Sequence, residues 1–164
     1  MQVPRALAED VFQIAYVVPD LRSAVGFFKE KLGVPAFLVK EDIQGQDQTY
    51  RGKPGDFRHS IAFGYAGDMQ IELIQSLSGE STYSEFIQQN PKGGVHHLGI
   101  FVNDYAAAVA DMTARGFEQV QTGRNGETRF AYFDVDHPIG TLLEVVQLAA
   151  PIRAAFDRLK RNEG

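Results

Sequence analysis

The chain carries one pattern twice. "FQIAYVVPDLRSAVGFFKEKLG" begins at Phe12 and "HHLGIFVNDYAAAVADMTARG" at His96, an offset of 84 residues. Each copy opens with a β-rich run and reaches an Asp, at 20 and 104, of the kind that caps a helix. Each then carries an Ala-Val pair, at 24–25 and 108–109, and ends at a glycine, 33 and 116, placed as a helix C′ residue. Apolar residues at 21, 24, 25, 28 and 32 mark one helical stripe. A chain built from two such copies must pack them on each other, which narrows the available folds more than composition does.

The continuation is also repeated. "VPAFLVKEDI", "FRHSIAFGY" and "DMQIELIQSL" follow the first helix; "FEQVQTG", "ETRFAYFDV" and "TLLEVVQL" follow the second. Each set reads as three strands parted by Gly, Asp and Pro turns. The expected organisation is α+β: one β-α-β-β-β module over about 11–77, a linker at 78–94, a second module over about 95–148, and a helix over about 151–161, together one domain spanning 1–164. The linker should hold a short helix near Thr82 to Gln89, and Pro151 is a favoured first residue for the last helix.

Bulk properties remove several classes of function. The net charge is −5, against the basic excess of nucleic-acid binders. There is no cysteine, hence no thiolate nucleophile, disulfide or cysteine zinc site. No apolar run nears the roughly 20 residues of a membrane span. "MQVPRALAED" has no signal-peptide core, so the expected location is cytoplasmic.

Two of the four histidines stand together in "GGVHHLGIFVND". Strand alternation separates them. His96 falls with Leu98, Ile100 and Val102, the face expected to pack on a helix; His97 falls with Gly99 and Phe101. The repeat aligns His97 with Gln13, whose face holds Ala15. A polar side chain beside a small residue suits a cavity wall. The last strand of each module adds a carboxylate amid apolar neighbours, Glu72 and Glu144, with Gln75 and Gln147 three residues on. If the modules pair about a twofold axis, Gln13, Glu72, His97 and Glu144 converge. Two carboxylates, an imidazole and an amide oxygen suit one divalent ion such as Zn, Ni, Co, Mn or Mg, whose charge the carboxylates balance.

The motifs "FQIAYVVPD", "IELIQSL", "GGVHHLGIFVND" and "HPIGTLLEVVQL" resemble the vicinal oxygen chelate superfamily, the glyoxalase I-like metalloenzymes, over about Val11 to Leu148. The resemblance implies a glyoxalase-like fold, an open mixed-sheet barrel of the paired modules around a metal, with Gln13, Glu72, His97 and Glu144 as ligands. It implies a lyase, isomerase or epimerase that binds vicinal oxygens of a small 2-oxo, acyl-thioester or hemithioacetal-like substrate and stabilises an enolate. Glu144 first, and Glu72, would move the proton. The linker and "GETRFAYFDVDHPIGTLLEV" resemble methylmalonyl-CoA epimerase, whereas the ligand set resembles eukaryotic-type glyoxalase I. For the epimerase's second glutamate the nearest carboxylate is Glu41. The alternative is a drug- or metabolite-binding protein on the same scaffold. An extradiol dioxygenase would need a second histidine ligand beside His97. Family members are often dimers, so a homodimer is expected.

Other residues carry weaker expectations. Arg51, Lys53, Arg58, Arg124 and Arg129 are candidates for an anionic substrate tail; Phe63 and Phe101 are candidates for an apolar cavity lining. His59 and His137 read as a structural strand residue and a turn residue.

Overall fold

The computed structural model describes residues 10–135 and 139–162. Strand β1 (Val11–Val17) leads into helix α1 (Leu21–Glu30), then β2 (Phe37–Gln44), β3 (Gln46–Tyr50), β4 (Lys53–Pro54), β5 (Arg58–Ala66) and β6 (Met69–Ser78). Helix α2 (Thr82–Gln89) precedes β7 (Gly94–Phe101), α3 (Tyr105–Ala114), β8 (Glu118–Asn125), β9 (Thr128–Asp134), β10 (Leu142–Gln147) and α4 (Ala150–Lys160). The helix starts have the expected chemistry. Asp20 accepts from Ser23 N at 2.7 Å and Asp104 from Ala107 N at 3.0 Å. The repeated glutamines explain themselves here: Gln75 accepts from Leu21 N at 2.8 Å and Gln147 from Tyr105 N at 3.0 Å, so each module's last strand holds the start of its own helix.

The strands form one ten-stranded mixed sheet in the order β2-β5-β6-β1-β7-β10-β9-β8-β3-β4. The copies meet at the antiparallel pair β1–β7, and each of these strands is flanked by a parallel partner, β6 or β10. The register is symmetric: Gln13 lies opposite Gly99, and His97 opposite Ala15. The first module differs from the expected three strands, since β3 and β4 are added. β2 pairs with β5 at one edge, and after Gly45 alone β3 pairs with β8 at the other. The sheet therefore curls until one stretch of chain bridges both edges. Gly45 eases this crossing, because a Cβ there would press on Arg124 O at 3.2 Å.

Apolar residues sort onto the two faces of the curled sheet. Outside, Leu21 of α1 packs with Ala62, Ile71 and Leu73, and Met112 of α3 with Ala131, Phe133 and Val145. Inside lie Val17, Phe57, Ile61, Ile74, Val120, Phe130, Tyr132 and Val146, joined by Tyr83 of α2. Glu72 and Glu144 sit on the inner face between these apolar residues, which is what gives them a buried address. No helix among the described residues is long and apolar enough to cross a membrane.

Candidate metal centre and its cavity

Gln13, Glu72, His97 and Glu144 come together at the centre of the inner face, all buried. His97 Nε2 lies 3.0 Å from Glu72 Oε2 and 2.9 Å from Glu144 Oε2. The inner atom of the Gln13 amide is 3.1 Å from His97 Nε2 and 3.2 Å from both carboxylate oxygens. Four central strands supply one residue each. The small residues of the repeat make the space. A Cβ on Gly99 would lie 2.5 Å from Gln13 Oε1 and 2.9 Å from Gln13 Cβ.

The donor set fits a divalent cation. Ligand atoms bound at about 2.0–2.2 Å around one ion lie roughly 3 Å or a little more from each other, the separation seen here. Gln70 and Tyr65 support the amide: Gln13 Nε2 donates to Gln70 Oε1 at 2.7 Å, and Gln70 Nε2 donates to Tyr65 Oη at 3.1 Å. With its oxygen inward, Gln13 faces two carboxylates with no proton between them, an arrangement a cation relieves. With the amide reversed, its NH2 donates to both carboxylates. Tyr65 can serve either state, since a hydroxyl both donates and accepts.

Burial and charge set the protonation of the group. Burial pulls His97 down, but Glu144 and Glu72 outweigh it and raise the imidazole to about 9. Burial raises the Glu144 carboxyl, opposed by His97. Tyr83 and Tyr132 share a 2.7 Å hydrogen bond beneath the cluster, and burial keeps both phenols neutral, pushed well above their usual value.

His96 departs from its expected place. β1 and β7 bulge at matching residues: Phe12 and His96 are left unpaired where the register steps from Val11–Ile100 to Gln13–Gly99 and from Ala15–His97 to Tyr16–Val95. The bulge turns His96 away from the outer face, where α1 and α3 pack, and against Tyr83 and Phe86 of α2 and Tyr132 of β9. Its Nδ1 lies 2.8 Å from His97 Nδ1. Because Nε2 of His97 faces the cluster, its Nδ1–H donates to His96. Such a partner fixes the tautomer and ring plane of a ligand histidine.

A cavity of about 90 Å³ adjoins the cluster, walled by Gln13, Glu72 and Glu144 together with His59, Phe63 and Phe156. Phe63 is where the cavity reading puts it. Phe101 is not: it lies beside Val146 at the end of β7, edge-on to Phe12 at 6.4 Å and under the Arg153 guanidinium, so its ring is taken up there and does not line the cavity. Glu41 is exposed and lines a separate surface groove with Asp20, Ser60 and Gln75; its neighbour Lys40 takes the cavity side. His59 is more than a strand-end residue, since its ring lines the cavity and Nδ1 has no hydrogen-bond partner. Arg51, Arg58 and Arg124 are held by Glu85, Asp42 and Asp47, while Arg129 lies over the Tyr105 ring. Lys53 is exposed on β4, and His137 lies outside the described residues. Gln70 and Tyr83 went unread in the sequence; the inward period of "MQIELIQ", shared with Glu72, is the signal that finds Gln70.

Residues 12–133 match the family model of the Glyoxalase/Bleomycin resistance protein/Dioxygenase superfamily. The human mitochondrial methylmalonyl-CoA epimerase is 30% identical over 118 residues, covering 70% of this chain and 60% of that protein. The chain thus spans about three fifths or less of the mammalian mitochondrial relatives it matches. A 2-epi-5-epi-valiolone epimerase of an Actinomyces species is 30% identical across 99% of this chain and 92% of its own. Among solved structures, methylmalonyl-CoA epimerase from Mycobacterium tuberculosis superposes with a TM-score of 0.63 at 19% identity, covering 93% of this chain and 97% of that one.

Proposed function

The chain belongs to the glyoxalase/bleomycin resistance/dioxygenase superfamily, and from that membership we propose that it is a divalent-metal-dependent epimerase acting on a carbon beside a carbonyl. The curated relatives at about this similarity are epimerases of this superfamily. The observation that carries the reading is the convergence of the buried Gln13, Glu72, His97 and Glu144 within 3.2 Å contacts beside a cavity. These four residues would hold the ion. When bound, the ion supplies Lewis acidity that polarises the substrate carbonyl and makes the neighbouring C–H more acidic.

The chain's own residues do the rest. His97 is held rigid by His96, and Gln13 by Gln70. Glu144 takes the proton: the C–H bond breaks, and its electron pair moves into the carbonyl to form an enolate. Glu72, reaching in from the other side of His97, relays a proton taken up from solvent to the opposite face, and Glu144 returns the abstracted proton to solvent to reset the site. The product differs in one stereocentre, and the chemistry needs no oxidant or co-reactant. Burial raises the basicity of Glu144, as a proton acceptor for a weak carbon acid requires. The apolar wall around it, Phe63, Phe130 and Val146, keeps bulk water from the enolate.

The first test is metal content by elemental mass spectrometry, wild type beside His97→Ala. About one divalent ion per chain, lost in the variant, is expected. No ion after incubation with Zn, Ni, Co and Mn overturns the reading. In heavy water, Glu144→Gln should retain some metal and lose proton exchange at the substrate carbon; undiminished exchange removes Glu144 from its role.

A further inference from the structure

Helix α4 lies over the cavity beside the cluster. Its start is pinned to β9, where Thr128 Oγ1 accepts from Ala149 N at 2.9 Å. Its middle reaches the β7–α3 loop, where Arg153 donates to Asn103 Oδ1 at 3.4 Å and sits 4.2 Å over the Phe101 ring. Its end reaches the β5–β6 turn, with Lys160 Nζ 3.1 Å from Asp68 Oδ1. The helix is therefore fastened to both modules. Beneath it, Phe156 is 5% exposed and packs 4.8 Å from Phe63, the residue paired across the sheet with Glu72. Ile152 and Phe156 form the part of the cavity wall that α4 contributes.

Two features describe what the space beneath α4 accepts. It is small: about 90 Å³, where sites for drug-sized ligands run to about 300–1,000 Å³. It is also polar away from the cluster. Lys40, His59, Asn125 and Thr128 line it, and the buried Nδ1 of His59 lacks any hydrogen-bond partner. A buried imidazole nitrogen left alone costs free energy that a ligand hydroxyl would recover. Arg51, Arg58 and Arg124 are each paired with a carboxylate of the chain, which leaves Lys40 in the cavity wall as a donor for an oxygen of the ligand.

We infer that the substrate is a free, compact, polyhydroxylated carbonyl compound, not an acyl group on a coenzyme A carrier, with α4 setting the size limit and His59 hydrogen-bonding a hydroxyl remote from the reacting carbon. The inference rests on the epimerase reading and narrows it. The valiolone epimerase whose alignment extends over 99% of this chain, α4 included, accords with it.

The test compares methylmalonyl-CoA with 2-epi-5-epi-valiolone on the metal-loaded full chain, following proton exchange at the carbon beside the carbonyl by NMR in heavy water. The hydroxylated ketone should win by about a hundredfold or more in kcat/KM. His59→Leu should raise KM for the ketone about tenfold or more while kcat holds, because a lost ground-state contact shows in KM. Phe156→Ala, or Ile152→Ala if the first variant fails to fold, should shrink the preference by admitting the thioester. Calorimetry with coenzyme A alone should show no binding tighter than about 1 mM. Exchange of methylmalonyl-CoA as fast as that of the ketone, or tight coenzyme A binding, overturns this inference and leaves the epimerase reading standing. Exchange of neither compound by metal-loaded protein overturns both.

Discussion

Replacing Gly99 with alanine tests the geometry of the centre without touching a ligand. The added Cβ would lie 2.5 Å from Gln13 Oε1, 2.9 Å from its Cβ and 3.1 Å from its Cδ. No rotamer change at the tip relieves a contact to Cβ, so β1 or β7 must shift or the Gln13 side chain must leave the cluster. Overpacking of this kind costs about 1–3 kcal/mol, which at this chain length lowers Tm by roughly 2–12 °C. Displacing Gln13 also removes one donor in four. Loss of a supporting partner weakens metal binding by about 10–100-fold, and a displaced ligand should do at least that. The assay is competition with a chelator of known affinity, alongside thermal melts with and without metal. Gln13→Ala completes a cycle: with the glutamine gone the alanine at 99 has room, so the double variant should bind metal as Gln13→Ala does, a non-additivity expected of residues in contact. Unchanged affinity in Gly99→Ala, or losses that simply add, would refute the placement of Gln13 opposite Gly99.

Further predictions follow from the same site. His97 in the metal-free chain is raised to about 9, so its contribution to stability is complete below its unfolded value near 6.5 and is lost as pH rises through 9; the difference is worth about 3 kcal/mol. Melts of metal-free protein from pH 6 to 10 should show this decline, and His97→Gln should flatten it. Adding metal near neutral pH should release about one proton per chain, measured by calorimetry in buffers of different ionisation enthalpy. His59 runs the other way: burial lowers it to about 4, so stability is lost as pH falls from about 6.5 towards 4, by about 3 kcal/mol. His59→Phe should therefore lower the pH midpoint of acid unfolding. His96→Leu should weaken metal binding about 10–100-fold, and His96→Asn, whose side-chain oxygen can accept the His97 proton, should restore much of it.

Much of the centre was legible because the repeat compares the chain with itself. Gln13 alone is unremarkable, but its register with His97, and that of Glu72 with Glu144, singles out one inward position per central strand. Ala15 and Gly99 were readable for the same reason, as small residues beside polar ones. The bulges at Phe12 and His96 were not. Alternation assumes a residue-for-residue ladder, and nothing local in "GVHHLG" announces an extra residue. The split of β2 from β3 was hidden too. "VKEDIQGQDQTY" reads as one irregular polar stretch, and only the curl of the whole sheet brings its second half to the far edge. Cavity residues drawn from distant elements, His59, Tyr83 and Phe156, leave no spacing signal because their proximity arises in three dimensions.

The seam between β1 and β7 has a further consequence. Two separate copies of one module, related by an exact twofold axis, would be bound to present the same side chains on either side of it. A single polypeptide is free of that obligation: one half keeps glutamine where the other carries histidine, and the helices that follow them, α2 and α4, bring different side chains, Tyr83 and Phe156, to the cavity. The substrate of an epimerase is itself handed, and its two faces must be met by different neighbours. Joining the halves into one chain supplies that asymmetry while the backbone frame stays even.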